Sequence, residues 1–480
     1  MTDPSARRTL LALWLAVAAI FIAGAFALLI ASDRYQWALR LAELPMVAFA
    51  LAMAGAGVLL GLVALLIRAT IRNGLGDAPG VLVIIIATGF VMRALMLPST
   101  AILEDDFHRY LWDGAVTAHG INPFETAPGD AAKETAPAVV RQLASEGQGI
   151  LDRVNHPHLK TIYPPVAQAA FAAAYLIEPW SLRAWRIVCL IGELATLGLG
   201  LLLLATIGRP LAWIALYWLN PLVVKELMNS GHMEAIVLPF VIGAVLLLAR
   251  DRALWATVPL GLAIGAKVWP AVLVPLVLRP LIAHPVRLAG ALAILGIMAV
   301  LWLLPPLIGG LDRESGFVAY ASYWQTNSAL FQSVGRGMRI LFDGLQLPPE
   351  WAGTASRALV AGIVGVVALW AAWRPISGAR DVVIRAAVVV LALFFLSPAQ
   401  FPWYATWALV FLPFLPLAAL IGTTIFLPLY YLSFHFVAHG DHDHWAPWLI
   451  WIEWVPIWLL LLGDMLRAWR KPLEIEIGRP

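Results

Sequence analysis

The sequence predicts an all-α polytopic membrane protein with about 12 to 14 transmembrane helices. Hydrophobic residues make up 61% of its 480 positions and charged residues 13%, which is about half the charge of a usual soluble domain. A water-soluble fold has no room to bury so much apolar surface. The apolar runs are continuous and do not alternate, which favours spanning helices and excludes a β-barrel.

Charge and cysteine content exclude several function classes. The net charge is only +3, and the basic residues lie between apolar runs, so they indicate membrane topology and not a nucleic-acid partner. The only cysteine, Cys189, lies inside an apolar run. An internal disulfide and a cysteine-based metal site are therefore excluded.

The first three apolar segments place the next part of the chain outside the cell. Each is long enough to cross a hydrocarbon layer of about 30 Å. Basic residues before the first segment and after the second place the amino terminus and the loop after the second segment in the cytoplasm. We expect the first segment to be an uncleaved span and the third to lead outside; the three are Thr9–Ala31, Pro45–Ile67 and Gly80–Pro98.

The next apolar segment, Ile162–Ile177, is short and bounded by prolines, and we expect it not to cross the membrane. With that assignment every later basic loop is cytoplasmic and both termini are inside. The remaining predicted spans are Trp185–Ile207, Leu211–Val224, Ala235–Ala249, Leu254–Ala266, Val268–Leu278, Leu288–Leu307, Ser356–Trp373, Val382–Leu396, Trp403–Pro416, Leu417–Phe436 and Trp445–Leu466.

This topology predicts one integral membrane domain, residues 1–480, whose polar segments share the outer face. Prolines interrupt several of its helices, and broken helices at membrane depth are tolerated where they line a cavity. The main outer loops are residues 99–161, with a dense acidic motif, and residues 308–355. Three shorter outer segments are residues 220–235, 397–404 and 439–445.

The acidic motif EDDFHRYLWDG begins at Glu104. If it is helical, Asp106, Arg109, Tyr110 and Asp113 lie on one face, at i, i+3, i+4 and i+7. A carboxylate with Arg109 close by would stay ionised, as a general base must. The alternative is a solvated surface helix with an ordinary Asp–Arg pair.

Two further segments supply groups that could bind a phosphate or a sugar. The first precedes the short apolar helix, and its side chains either hold a phosphate or anchor that helix at the lipid headgroups. The second lies at the outer end of two spans and either meets the substrate or forms an ordinary helix–helix turn. The residues are His156, Lys160 and Tyr163, then Lys225, His232 and Glu234.

The later loops offer an arginine pair and an aromatic segment. Arg336 and Arg339 are three residues apart and suit a phosphate leaving group, although loop solvation is the alternative. Trp403 and Tyr404, after Gln400, either stack on a sugar or belong to an interfacial aromatic belt.

Two segments contain possible metal ligands, but neither has a recognisable metal-binding pattern. The segment HGDHDHW at residues 439–445 carries several possible ligands but has no known ligand spacing. A divalent cation could instead be held by Asp105 and Asp106, where no compact ligand set is evident.

In order, the motifs DDFHRYLWDG, GINPF, HPHLKTIYPP, NPLVVKELMNSGHMEA, NSALFQSVGR and SPAQFPWYATW resemble those of polyprenyl-phosphate-sugar-dependent membrane glycosyltransferases of the GT-C fold. The chain looks closest to bacterial mannosyltransferases of the glycosyltransferase family 87 kind. It is more distantly similar to the catalytic subunit of GPI mannosyltransferase I. The resemblance covers roughly Asp105–Phe414, which is most of the chain.

The resemblance implies a catalytic base in the first large outer loop and a lipid-phosphate sugar donor. Asp106 matches the base best, followed by Asp105 and Glu104, and the choice between the two aspartates stays open. The implied reaction inverts the anomeric carbon and expels polyprenyl phosphate. Its phosphate ligands are expected among Arg336, Arg339, Lys225 and His232, with His156, Lys160 and Arg109 as weaker candidates.

The expected partners are a polyprenyl-phosphate sugar, with mannose favoured, a glycan or glycolipid acceptor, and membrane lipids. The expected location is a bacterial cytoplasmic membrane, with the site on its extracytoplasmic face. The sequence identifies no definite cofactor and leaves open a divalent cation. Two alternative functions remain: a flippase for lipid-linked sugars and a non-catalytic assembly subunit. A flippase would place polar groups at mid-membrane or on both faces.

Overall fold

The structure, a computed structural model, describes residues 4–36 and 39–470. Over these residues the chain is helical, without a β-strand, and Thr326 and Ala399 share an isolated parallel bridge. The helices are α1 Pro4–Ser32, α2 Met46–Arg72, α3 Pro79–Met96, α4 Asp106–Ala118, α5 Ala138–Glu146, α6 Gln148–Leu151, α7 Pro165–Ile177, α8 Leu182–Thr206, α9 Ala215–Trp218, α10 Pro221–Val224, α11 Glu234–Ala249, α12 Ala253–Ala266, α13 Val274–Leu278, α14 Pro285–Gly309, α15 Gly316–Tyr323, α16 Ala329–Gly344, α17 Trp351–Trp373, α18 Ala379–Leu396, α19 Thr406–Leu409, α20 Ala418–Phe426, α21 Leu432–Ala438 and α22 His442–Arg470.

Long apolar helices confirm an all-α multi-pass membrane protein. In the part of the chain that the structure describes, 8 helices are long and apolar enough to span a membrane, or 9 if one bent pair counts as a span. They are Pro4–Tyr35, Met46–Arg72, Pro79–Met96, Leu182–Thr206, Pro285–Gly309, Trp351–Trp373, Ala418–Ala438 and His442–Arg470, with the bent pair Leu211–Trp218 and Pro221–Asn229.

The predicted number of 12 to 14 spans is too high for helices of full spanning length. Several predicted spans form shorter apolar helices of 10 to 17 residues instead, among them α11 and α12. Helix α7, at 13 residues, is about 20 Å long. It is shorter than a hydrocarbon layer, in agreement with the prediction that this segment does not cross.

Asn220 and Pro221 produce the break in the bent pair, whose two helices meet at 52°. Asn220 is the N-cap of α10, and its side-chain oxygen accepts the backbone N–H of Leu222 at 3.0 Å. Pro221 occupies the first helical position, where its missing N–H costs nothing. A π-helical segment, Lys225–Asn229, follows directly.

The chain divides into two compact units, each assembled from separate stretches. The first contains residues up to Leu103, then Gly200–Asn229, then the chain from Gln400 onward. Its core includes Phe49 and Tyr431, whose rings meet edge to face at 5.2 Å between centroids.

The second unit contains Glu104–Leu199 and Ser230–Ala399. In it α4 packs closely against α7, because Gly114 has no side chain: a Cβ there would lie 2.5 Å from the carbonyl oxygen of Phe171. Behind α4, Trp112 and Val116 pack in a small apolar core with Val140 of α5. This packing fixes the position of the helix that carries the acidic motif.

Candidate active site

The acidic motif forms the start of α4, as the helical spacing predicts. Glu104 holds this end of the helix, because its Oε1 accepts the backbone N–H groups of Asp105 and Asp106, both at 3.0 Å. The first N–H groups of a helix have no partner within the helix and carry partial positive charge. A carboxylate on them therefore fixes the backbone of the two aspartates.

The second oxygen of Glu104 contacts His232, a residue distant in sequence. The distance from Oε2 to Nε2 of His232 is 3.0 Å, and the two side chains are 4% and 0% exposed. His232 follows Gly231, which has a φ of +72° and whose carbonyl accepts the indole N–H of Trp185 at 2.5 Å. The sequence predicts both Glu104 and His232 as site residues, and the structure brings them together.

Asn155 joins the two aspartates. Its amide nitrogen donates to Oδ1 of Asp105 at 2.9 Å and to Oδ1 of Asp106 at 2.8 Å. Sequence reasoning did not select Asn155, because a single amide in a polar loop has no distinguishing pattern. Its neighbours in the motif HPHLKTIYPP are the only signal for it.

Burial makes both aspartates weaker acids than usual. It raises the pKa of Asp105 to about 7, with a further contribution from the negative charges of Glu104 and Asp106. Burial and then the charge of Glu104 also raise the pKa of Asp106, while His232, Asn155 and Lys267 oppose that rise. Carboxylates with raised pKa can accept a proton at neutral pH, as a general base requires.

Lys267 places an ammonium group near Asp106. It directly follows α12, and its ammonium forms an ion pair with the buried carboxylate of Glu234 at the start of α11. The sequence analysis predicted Glu234 but missed Lys267, which interrupts an apolar run. A lone lysine in such a run is costly and is therefore a functional signal in its own right.

Tyr110 and Tyr163 form an aromatic pair close to Asp106. Their rings meet edge to face at 5.1 Å, and Tyr110 stacks on Phe171 at 4.8 Å. Burial raises the pKa of both phenols well above the usual value. The two hydroxyls therefore stay protonated and can donate hydrogen bonds.

Arg109 has a different role from the predicted one. Its guanidinium donates to the backbone carbonyls of Leu159 at 2.8 Å and His156 at 3.2 Å, and it lies 3.9 Å from the carboxylate of Asp113. The expectation that it keeps a catalytic carboxylate ionised is therefore wrong for Asp106. Arg109 fastens the loop at residues 155–160 to α4 instead.

Asp113 is also structural. It is buried, and its Oδ2 accepts hydrogen bonds from the Thr161 hydroxyl at 2.5 Å and the Gln168 amide at 3.2 Å. Burial raises the pKa of this carboxyl. Its contacts connect α4 to the start of α7.

The other candidates in this unit lie outside the acidic cluster. Lys160 forms an ion pair with Asp312 at 2.8 Å and donates to the carbonyl of Gly309 at 3.0 Å, so it connects two loops. His156 is exposed, and its ring lies 4.7 Å from that of Trp324. Arg336 and Arg339 are exposed on α16.

Four candidates belong to the first unit. Lys225 is fully buried and contacts the Glu226 carboxylate at 3.3 Å and the Tyr431 hydroxyl, which favours a structural role for it. Gln400 is 1% exposed. Trp403 stacks on Phe401 at 4.3 Å, and Tyr404 stacks on Trp407 at 4.4 Å between ring centroids.

Glu104, Asp106 and His232 could hold a metal ion, since one ligand atom from each lies within 4.8 Å of the others. This group differs from the Asp105 and Asp106 pair that the sequence suggests. It also differs from the segment at residues 439–445, which forms no such group among the residues that the structure describes. Oε1 of Glu104 already accepts two backbone N–H groups, and Oε2 already lies 3.0 Å from Nε2 of His232.

Comparison with known proteins gives one match. Residues 161–398 match the family model described as glycosyltransferase family 87. This match confirms the resemblance to family 87, and His232 and Lys267 lie within the matched segment, whereas the acidic residues 104–106 precede it. No curated protein and no solved structure matches. The distant resemblance to GPI mannosyltransferase I stays a prediction.

Proposed function

We propose that this chain, whose residues 161–398 match glycosyltransferase family 87, transfers a sugar from a polyprenyl-phosphate donor to a lipid or glycan acceptor. Mannose is the sugar that the motifs favour. The observation that carries the proposal is the acidic cluster itself. Asp106 is held between Glu104 and Asn155, with the Lys267 ammonium and the His232 imidazole nearby.

In the proposed reaction, Asp106 takes the proton from an acceptor hydroxyl. The hydroxyl oxygen forms a bond to the anomeric carbon of the donor from the face opposite the phosphate. The bond between the anomeric carbon and the phosphate oxygen breaks, and the phosphate leaves with the electron pair. The anomeric centre is inverted, and the proton stays on the aspartate until solvent removes it.

The two acidic neighbours of Asp106 have different proposed roles. Asp105 is its neighbour and the alternative base, and its raised pKa of about 7 also suits proton uptake. Glu104 is less suited, because one oxygen caps α4 and the other contacts His232. We therefore assign Glu104 a positioning role and keep Asp106 as the preferred base.

The phosphate of the donor would lie towards Lys267 and His232. A leaving phosphate gains negative charge, and preorganised cations stabilise that charge in a site that excludes water. The Lys267 side chain is 19% exposed, while that of its partner Glu234 is fully buried. This assignment replaces the exposed Arg336 and Arg339 as the preferred phosphate ligands.

The proposed location is a bacterial cytoplasmic membrane, with the acidic cluster on the extracytoplasmic face. Basic residues before the first apolar segment and after the second support that orientation, because they place the loop after the third segment outside. A lipid-linked donor fits this location, because no nucleotide sugar is expected outside the cytoplasm.

The test is transfer by the purified protein in proteoliposomes. Polyprenyl-phosphate donors carrying radiolabelled mannose, arabinose or glucose are offered with a membrane lipid extract as acceptor. We expect label to move to the acceptor with one donor, and Asp106→Asn to abolish this. Asp130→Asn is the matched control, since Asp130 pairs with Lys133 in the same outer loop. Label that crosses the bilayer without transfer, or no reaction with any donor, would contradict the proposal.

A further inference from the structure

We propose that Asn155 is a positioning residue that holds the carboxylates of Asp105 and Asp106 in the orientation required for proton transfer. The inference rests on the proposed function, since it concerns the same site. It assigns a role to a residue that neither the motif nor the family match identifies. Asn155 acts through the aspartates and has no contact with the reacting atoms in this scheme.

The geometry of the amide suits two adjacent carboxylates. An asparagine NH₂ group carries two N–H donors, and here both are used, at 2.9 Å to Asp105 and 2.8 Å to Asp106. Neighbouring carboxylates repel each other when both are ionised. A shared donor offsets this repulsion and holds one oxygen of each group at a fixed point.

The two aspartates are therefore restrained from two directions. Glu104 accepts their backbone N–H groups, which fixes the main chain at the start of α4. Asn155 donates to their side chains from a different segment of the same unit. With both restraints present, the carboxylate orientation is set before a substrate arrives.

Arg109 determines where Asn155 lies. It extends from α4 to the carbonyls of His156, the residue after Asn155, and of Leu159, four residues after it. His156 has a φ of +47°, which bends the chain at that point. Through Arg109, α4 therefore fixes the loop whose Asn155 in turn restrains the two aspartates.

The groups that face this pair come from several elements. Glu104 precedes the pair, His232 and Lys267 approach from the segments at α11 and α12, and Tyr110 lies on α4 itself. The remaining neighbours are Glu234, Tyr163 and His156. It is Asn155 that donates hydrogen bonds to the carboxylates of both aspartates.

The experiment compares Asn155→Ala and Asn155→Ser with Asn122→Ala. Asn122 is a control amide in the same outer loop that donates to the Pro305 carbonyl at 3.0 Å. Displacement of a catalytic group by about 1 Å costs up to about 100-fold in rate. We expect Asn155→Ala to lower kcat by about 10- to 100-fold, with the donor KM and the thermal midpoint close to wild type. Asn155→Ser retains one donor and should be intermediate, and Asn122→Ala should retain wild-type kcat.

Two results would overturn this role. One is a wild-type kcat in Asn155→Ala. The other is a loss of kcat that follows a matching fall in thermal midpoint, with no rescue by Asn155→Ser, since that would indicate a folding defect.

A second measurement needs no activity and separates this inference from the proposed function. Infrared difference spectra of wild-type protein and Asn155→Ala should show a shift of the carboxylate stretching bands, because two hydrogen bonds are lost. The shift should disappear when the comparison is repeated in the Asp105→Asn/Asp106→Asn background. If transfer fails in the wild type but this shift is seen, the proposed function is wrong and the contact stands. Identical spectra would refute the contact.

Discussion

The carboxylate of Glu104 lies 3.0 Å from Nε2 of His232, although 128 residues separate them. The other oxygen of the same carboxylate accepts two backbone N–H groups at the start of α4. One side chain therefore connects the acidic motif to the turn before α11.

Glu104→Ala should destabilise the protein by about 3 kcal/mol, because it removes a helix cap and leaves His232 without this carboxylate. Glu104→Gln keeps an acceptor for the N–H groups and should cost less. The measurement is the thermal unfolding midpoint in detergent. Glu125→Ala, an exposed glutamate in the same loop, is the control. Equal midpoints for all three variants would refute the structural role of Glu104.

The pH dependence of transfer should follow the raised pKa of the aspartates. The pKa of Asp105 is about 7, well above the value of about 3.9 for an unfolded chain. The folded protein therefore binds a proton that the unfolded chain has lost, and this group lowers stability as pH rises from about 4 to about 7. A base must be ionised, so transfer should increase through pH about 7 if Asp105 is the base, and at a pH above the usual carboxyl range if Asp106 is the base.

Asp105→Asn separates the two candidate bases. If Asp106 is the base, removal of the negative charge beside it lowers its pKa, and the rising limb of the rate profile moves to lower pH. If Asp105 is the base, activity is lost at every pH. A profile that coincides with that of the wild type would contradict any electrostatic coupling between the pair.

Gly114→Ala tests the packing that positions α4. A Cβ at Gly114 would lie 2.5 Å from the carbonyl oxygen of Phe171, so the helices must move apart. We expect a loss of about 1 to 3 kcal/mol in stability, together with lower transfer, because the same helix carries Asp106. Gly149→Ala is the control, since nothing lies within 4 Å of a Cβ there. Unchanged thermal unfolding of Gly114→Ala would argue against this helix contact.

The effects of Lys267 and Glu234 on stability should be coupled, whereas donor binding should depend on Lys267. Lys267→Gln removes the ammonium that pairs with the buried carboxylate of Glu234 and should be strongly destabilising, whereas Glu234→Gln/Lys267→Gln should recover much of the loss. Both proteins lack the cation, so both should raise the donor KM by about tenfold. Thermal midpoints and donor titrations measure the two effects. Wild-type KM in the double variant would exclude Lys267 as a phosphate ligand.

The sequence predicts the local part of this site well. Residues 104–113 lie on α4 or directly before it, so their spacing is enough to place them near one another. His232 and Glu234 stand out as charged residues beside long apolar runs. Their pairing with Glu104 and Lys267, however, depends on how α11 and α12 fold back on the outer loop, which no local pattern encodes.

The misassignments have similar causes. Arg109 is at the right spacing for Asp106, but its long side chain extends to the carbonyls of the neighbouring loop. Asn155 is neutral and lies in a polar segment, so nothing distinguishes it before folding. The predicted span count exceeds the 8 or 9 helices of spanning length among the described residues, because several apolar runs, such as those of α11 and α12, form helices of only 10 to 17 residues.

The central claim is that Asp106 is the base of a sugar transfer. The most direct test is the rate of label transfer by Asp106→Asn and wild-type protein in the same proteoliposomes, with donor binding and thermal midpoint measured in parallel. We predict a rate at least about 1,000-fold lower, with folding and donor binding retained. Wild-type transfer by Asp106→Asn would contradict the account.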